Sequence, residues 1–145
     1  MRRTSIWVLA VLAVSAALVA GCGSGAQPLP KTGGQLLPVP GNPSGKIVLT
    51  PQGAQRLGLQ TAPVRSVRAT AGVVIPFASI VYDPSGHTFA FTSQGPLTFT
   101  EVPITVDHIT GNLAYLRTGP RAGTQVVTVG AEELFGVQTG VLQQT

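Results

Sequence analysis

The sequence predicts a mostly β domain: a small barrel or sandwich of six or seven short strands with one short helix, behind a signal peptide and a disordered linker. Three observations carry this expectation. Stretches of strict apolar/polar alternation recur through the second half of the chain, the signature of half-buried strands. They are separated by proline- and glycine-containing turns at close intervals, as the 12 prolines and 18 glycines allow. The same half is rich in Val, Ile, Leu and Phe, which argues against a chain that stays unfolded. At 145 residues there is room for one domain.

Along the ordered part, "KIVLT" from Lys46 reads as a strand. "TPQGAQRLG" reads as one or two helical turns, with Thr50 as the N-terminal cap, Pro51 at the first helical position and Gly58 at the stop. "LQTAPV" is extended. From Val67 to Ile75 the odd positions are apolar and Ser66, Arg68 and Thr70 share the other parity, so Arg65 to Ile75 reads as one alternating strand. "DPSG" at 83–86 is a turn joining a strand that ends near Tyr82 to one at 87–92, and "SQGP" makes the next turn. Val102, Ile104, Val106 and His108 share a parity opposite to that of Leu97 and Phe99. A bulge or break near Glu101 would reconcile them, and Pro103 points to an edge strand. "LAYLR" and "QVVTV" supply two more strands around the turn-rich "TGPRAG", and "AEELFG" a final helical turn. Phe89, Phe91, Phe99 and Phe135 are assigned to the core.

The first 45 residues have a different character. Arg2 and Arg3 precede an apolar run from Ile6 to Ala20, followed by small residues around Cys22, the single cysteine. A charged start, a short apolar run and small residues make a secretory signal; a short uncleaved anchor is the alternative. "LVAGC" resembles the bacterial lipobox, in which the cysteine is acylated and becomes the new N-terminus. The resemblance implies a diacylglyceryl group and palmitate at Cys22, and so stable anchoring in the lipid bilayer, since more than one acyl chain holds firmly. Residues 1–21 are thus the signal peptide, 22–45 a lipidated Pro/Gly-rich linker and 46–145 the folded domain. Fully extended, that linker would reach about 70 Å. A proline-rich ligand for a partner is the other reading of the same stretch, without a repeating aromatic or charged anchor to support it.

Removing the signal leaves seven basic residues against five acidic ones. The seven are scattered along the chain without aromatic interleaving, so no nucleic-acid partner is expected. His87 reads as an exposed strand end. His108 can pair with Asp107 or end its strand, and Glu132 and Glu133 cap or solvate the last helical turn. Two histidines without further ligands nearby do not make a metal site. With no nucleophile–base ordering and no phosphate loop, neither catalysis nor a cofactor is expected.

"VVIPFASIVYDPSGHTFAF" resembles a segment of the periplasmic adaptor (membrane fusion) proteins of efflux pumps. The matching pieces are Ile75-Pro76, Ala78 with Ile80-Val81, Gly86, and Thr88-Phe89-Ala90. "TFTEVPITV", "GPRAGTQVVTVGAEEL" and, upstream, "IVLTPQGAQRLGLQTAPV" are similar to other pieces of the same membrane-proximal domain, in the same order. The resemblance covers residues 46 to 140. In full-length adaptors a helical hairpin, a lipoyl-like domain and a β-barrel intervene before the "IP" segment; here they are missing, and Thr124 stands where the family has an acidic residue.

The resemblance implies a non-catalytic, lipid-anchored accessory subunit at the extracytoplasmic face of the cell membrane. It would dock on a membrane transporter, proton-driven (RND) or ATP-driven (ABC), through loops such as "HITGN" and "TGPRAG". The alternative is a small envelope lipoprotein that binds a ligand or metal ion through His108, Asp107 and Glu101.

Overall fold

The computed structural model describes residues 33–68 and 72–140. The expected signal peptide, Cys22 and the first part of the expected linker lie outside the described residues. The elements in chain order are β1 (Gly34–Val39), β2 (Asn42–Leu49), α1 (Pro51–Leu57), β3 (Gln60–Pro63), β4 (Arg65–Ser66), β5 (Val73–Pro76), β6 (Val81–Tyr82), β7 (Thr88–Gly95), β8 (Thr98–Pro103), β9 (Thr105–Thr110), β10 (Leu113–Thr118), β11 (Gln125–Val129) and α2 (Ala131–Gln138). A single 3-10 turn, Phe77–Ser79, sits between β5 and β6.

The strands form two open sheets. One runs β1-β2-β8-β7-β11-β3 with β6 added on β7; the other runs β4-β5-β10-β9. Neither sheet closes on itself, so the mostly β expectation holds as a sandwich rather than a barrel. Alternation along β7 and β11 shows how the layers stack. Phe89, Phe91 and Val127 join one buried cluster with Ala131, Leu134 and Val137 of α2, whereas Ala90 and Val126 join another with Ile75, Ala114 and Leu116 of the small sheet. The centre of the large sheet is therefore covered on both faces, by helix on one side and by the small sheet on the other. The edge-on contact of Phe89 with Phe91, centroids 5.5 Å apart at 89°, and the packing of Phe135 on Phe89 fill the helix side. Each such side chain taken from water contributes roughly 1.5–3 kcal/mol.

Helix α1 follows its sequence signals closely. The Thr50 hydroxyl accepts from the Gly53 N–H at 3.0 Å, Pro51 opens the helix, and Gly58 closes it in the left-handed region at φ 59°. The Asp83 turn is also as expected: Gly86 donates to the Asp83 carbonyl at 2.9 Å, and Asp83 Oδ1 accepts from the backbones of Ser85 and His87.

Four sequence expectations need correction. Residues 34–45 are not linker: β1 pairs along β2, from Gly34 opposite Leu49 to Val39 opposite Asn42. Leu36 and Leu37 are both exposed, so no alternation marks the strand. Pro38 sits where the register shifts between Leu37 and Val39, a place where a missing N–H is tolerated. The folded domain accordingly begins before Lys46. Second, Arg65 to Ile75 is two strands, not one. β4 and β5 pair antiparallel, with Arg65 opposite Val74, and Val67 donates to the Gly72 carbonyl at 2.9 Å as the chain reverses. Third, the parity change falls at Ile104 rather than near Glu101, because the chain leaves the large sheet there and enters the small one as β9. Fourth, the edge expected at Pro103 is local: β8 lies between β2 and β7, but β2 pairs it only at Thr98 and Phe99, so Pro103 has a neighbour on the β7 side alone. Ile104 donates to Thr88 at 3.0 Å, so in an antiparallel ladder the adjacent Pro103 is at a non-hydrogen-bonded position toward β7. The final helical turn, finally, extends to the two turns of α2.

Among the described residues the strands with a single neighbour are all short or irregular, and β6 on β7 is two residues long. β1 carries Pro38 at its shift, β3 ends in Pro63, β4 is two residues long, and β9 has two register shifts against β10.

Candidate functional site

The outer face of the small sheet gathers the exposed polar chemistry. Ala114 and Leu116 of β10 point into the core, so Tyr115 and Arg117 point outward. Tyr115 stands opposite His108 on one side and Val74 on the other, and Val74 stands opposite Arg65. Arg65, Val74, Tyr115 and His108 thus form one row across all four strands. The His108 ring stacks on the Tyr115 ring at 4.4 Å and 8°.

The register shift between Tyr115 and Leu116 brings Asp107 alongside this row. Its Oδ2 is 2.9 Å from His108 Nδ1, and its Oδ1 accepts from Arg117 Nε at 2.6 Å. The hydrogen bond with His108, followed by the hydrogen bond and charge of Arg117, holds the Asp107 carboxyl below its usual range. An open cleft of about 540 Å³ lies between this group and Val67, Gly72 and Val73.

The sequence expectations for this region divide. His108 does pair with Asp107, one of the two readings left open. His87 is exposed at its strand end, as read, with Nδ1 2.8 Å from Asp83 Oδ2. That hydrogen bond holds the Asp83 carboxyl below its usual range. The four phenylalanines assigned to the core are in it. Glu132 and Glu133 lie exposed in the first turn of α2, as expected of residues that solvate the helix start.

Glu101 does not join Asp107 and His108. It is on the other sheet and accepts from Gln138 Nε2 at 2.6 Å, which ties α2 to β8. Among the described residues no group of three or more His, Cys, Asp or Glu could hold a metal ion. The His108–Asp107–Glu101 set is thereby corrected: two sheets divide it. The loops "HITGN" and "TGPRAG" lie at opposite ends of β10. Next to the first, Phe77 donates its N–H to the Asn112 carbonyl at 2.8 Å, and both Phe77 and Ile109 are about half exposed.

Sequence reasoning missed Tyr115, Arg117 and Arg65. The alternation in "LAYLR" already put Tyr115 and Arg117 on one face; what it did not show was which strands lie alongside.

No protein-family model matches the chain, and no curated protein does. Among solved structures it is similar to the NMR structure of the N-terminal metal-binding site and membrane-proximal domain of SilB from Cupriavidus metallidurans CH34. The identity is 24%, over 78% of this chain and 82% of that one, with a TM-score of 0.42.

Proposed function

We propose that this chain is a lipoprotein, anchored through acylated Cys22 at the extracytoplasmic face of the cell membrane. In this reading its β domain is a non-catalytic, adaptor-like contact module that docks on a membrane transporter of the proton-driven or ATP-driven export class. One observation carries the reading. β2, α1 and β3 reproduce the strand–helix–strand that opens the membrane-proximal domain of the adaptors the sequence resembles, and β5 carries the Ile75-Pro76 at which that domain resumes. Between them, where the family inserts three further domains, only six residues separate β4 from β5, and those two strands pair antiparallel. Both halves of the membrane-proximal pattern are kept, and a six-residue connection stands where the parts that reach away from the membrane would be. The exposed Phe77 and Ile109 supply apolar contact at the "HITGN" end, where a protein partner would exclude water.

The test is cross-linking in membranes from a photoreactive residue at position 77 or 109. A transporter subunit in the adduct is the expected result; membranes that yield no transporter adduct from either position overturn docking. Fractionation of Cys22→Ala separately tests the anchor, which fails if that variant stays as firmly membrane-bound as the parent.

A further inference from the structure

The basic residues that are scattered in sequence are not scattered in the fold. Of the six that are described, Arg65, Arg68, Arg117 and Arg121 lie on the small sheet or on the loops leaving it. Arg65 is in β4 and Arg68 in the turn after it. Arg117 is two residues beyond Tyr115 on β10, toward that same turn, because Leu116 pairs with Val73 where the turn closes. Arg121 is in the loop after β10, which is fixed to the residue before Arg65 by hydrogen bonds of 2.8 Å from Gly123 to Val64 and from Val64 to Thr124. All four are exposed. The one acidic residue of this sheet is Asp107, and its two oxygens are already engaged by Arg117 and His108. Arg65, Arg68 and Arg121 make no side-chain hydrogen bond or ion pair within the described residues.

The other layers carry no such basic excess: there Lys46 of β2 and Arg56 of α1 stand against three carboxylates. Glu132 and Glu133 are exposed on α2, and Glu101 is on β8 below it. The large sheet separates these carboxylates from the four arginines, so the domain is electrically polarised through its layers. Such a body turns its basic side toward an anionic surface.

From this we infer that the outer face of the small sheet, with Arg65, Arg68, Arg117 and Arg121, docks on anionic phospholipid headgroups. The inference rests on the anchored reading above. Because β1 and β2 take up residues 34–45, only ten residues separate Cys22 from Gly33. At full extension that segment spans roughly 35 Å, half the reach expected of the longer linker. The surface this face meets first is therefore the bilayer itself, and basic residues close to an anionic leaflet are attracted to it.

The experiment uses the lipidated full-length protein, reconstituted in neutral phosphatidylcholine vesicles or in vesicles with about one lipid in three replaced by phosphatidylglycerol. A thiol dye is placed at Ser66→Cys, exposed between Arg65 and Arg68; acylated Cys22 is not labelled. Docking predicts blue-shifted emission and reduced access to an aqueous quencher on the anionic vesicles alone. Both changes are lost in raised salt and in the Arg65→Gln/Arg68→Gln/Arg121→Gln variant, whose thermal unfolding is checked against the parent. Equal emission in both vesicle types overturns the proposal and directs the arginines to an acidic protein instead. So does a shift that survives the triple substitution. Retention on anionic vesicles only, with an unmodified Cys22 by mass, supports the face while refuting the anchor; release from both vesicle types overturns the face as well.

Discussion

The carbonyl oxygen of Gly33 occupies the space that a Cβ on Gly53 would need. That oxygen also accepts from the N–H of Thr50 at 2.9 Å and from its hydroxyl at 3.2 Å, so the entry to β1 and the start of α1 are one joint. On helix propensity alone, Gly53→Ala should stabilise α1 by about 1 kcal/mol. The overlap with Gly33 reverses the sign. We expect a net loss of about 1–3 kcal/mol, as for other overpacked sites. Denaturant unfolding measures it; a stabilised variant would mean that β1 does not meet α1 here.

Leu134 is fully buried between α2 and the large sheet. Leu134→Ala should cost about 2–5 kcal/mol, through lost burial and the cavity left behind. A loss below about 1 kcal/mol would show that α2 is not a layer of the core. The same unfolding measurement reads it.

The interior position of β2 can be checked by amide hydrogen exchange. β2 is paired by β1 on one side and β8 on the other. The amides of Ile47 and Val48 should both exchange slowly, whereas an edge strand leaves every second N–H facing solvent. Fast exchange at either residue would return residues 34–45 to the linker.

Acid should weaken the fold in a defined direction. The hydrogen bond with His87 lowers the Asp83 pKa, and those with His108 and then Arg117 lower the Asp107 pKa, each from an ordinary 3.8. A carboxylate whose pKa is depressed in the folded state contributes stability that is present above its unfolded value and lost as pH falls through its folded value. Asp107 is exposed and Asp83 only half-buried, so the effect is modest. NMR titration should find both below 3.8, and His108→Ala should move Asp107 upward. An Asp107 value that does not move in that variant would refute the assigned cause.

How far the fold was legible depended on whether the signal was local. Thr50, Pro51 and Gly58 act within one helical turn, and Asp83 to Gly86 within four residues, so their roles could be read directly. β1 was hidden because its exposed leucines and Pro38 give no period; what holds it is a ladder to residues up to fifteen positions away. The reversal after Ser66 was hidden because residues on both sides of it keep one parity, and alternation does not distinguish a straight strand from a hairpin. The candidate site was half legible. Asp107 beside His108 follows from adjacency, but Arg117 and Tyr115 reach them only through pairing of β9 with β10, and Arg65 only through β5.

The irregular sheet edges bear on life at high density. A lipid tail confines its carrier to two dimensions, where copies collide far more often than in free solution. Flat, regular borders would let neighbours zip together backbone to backbone. With a proline at Pro38 and another at Pro63, a two-residue border at β4 and a kinked one at β9, this domain offers no straight template; under the proposed Cys22 anchor, copies would crowd a membrane and stay separate.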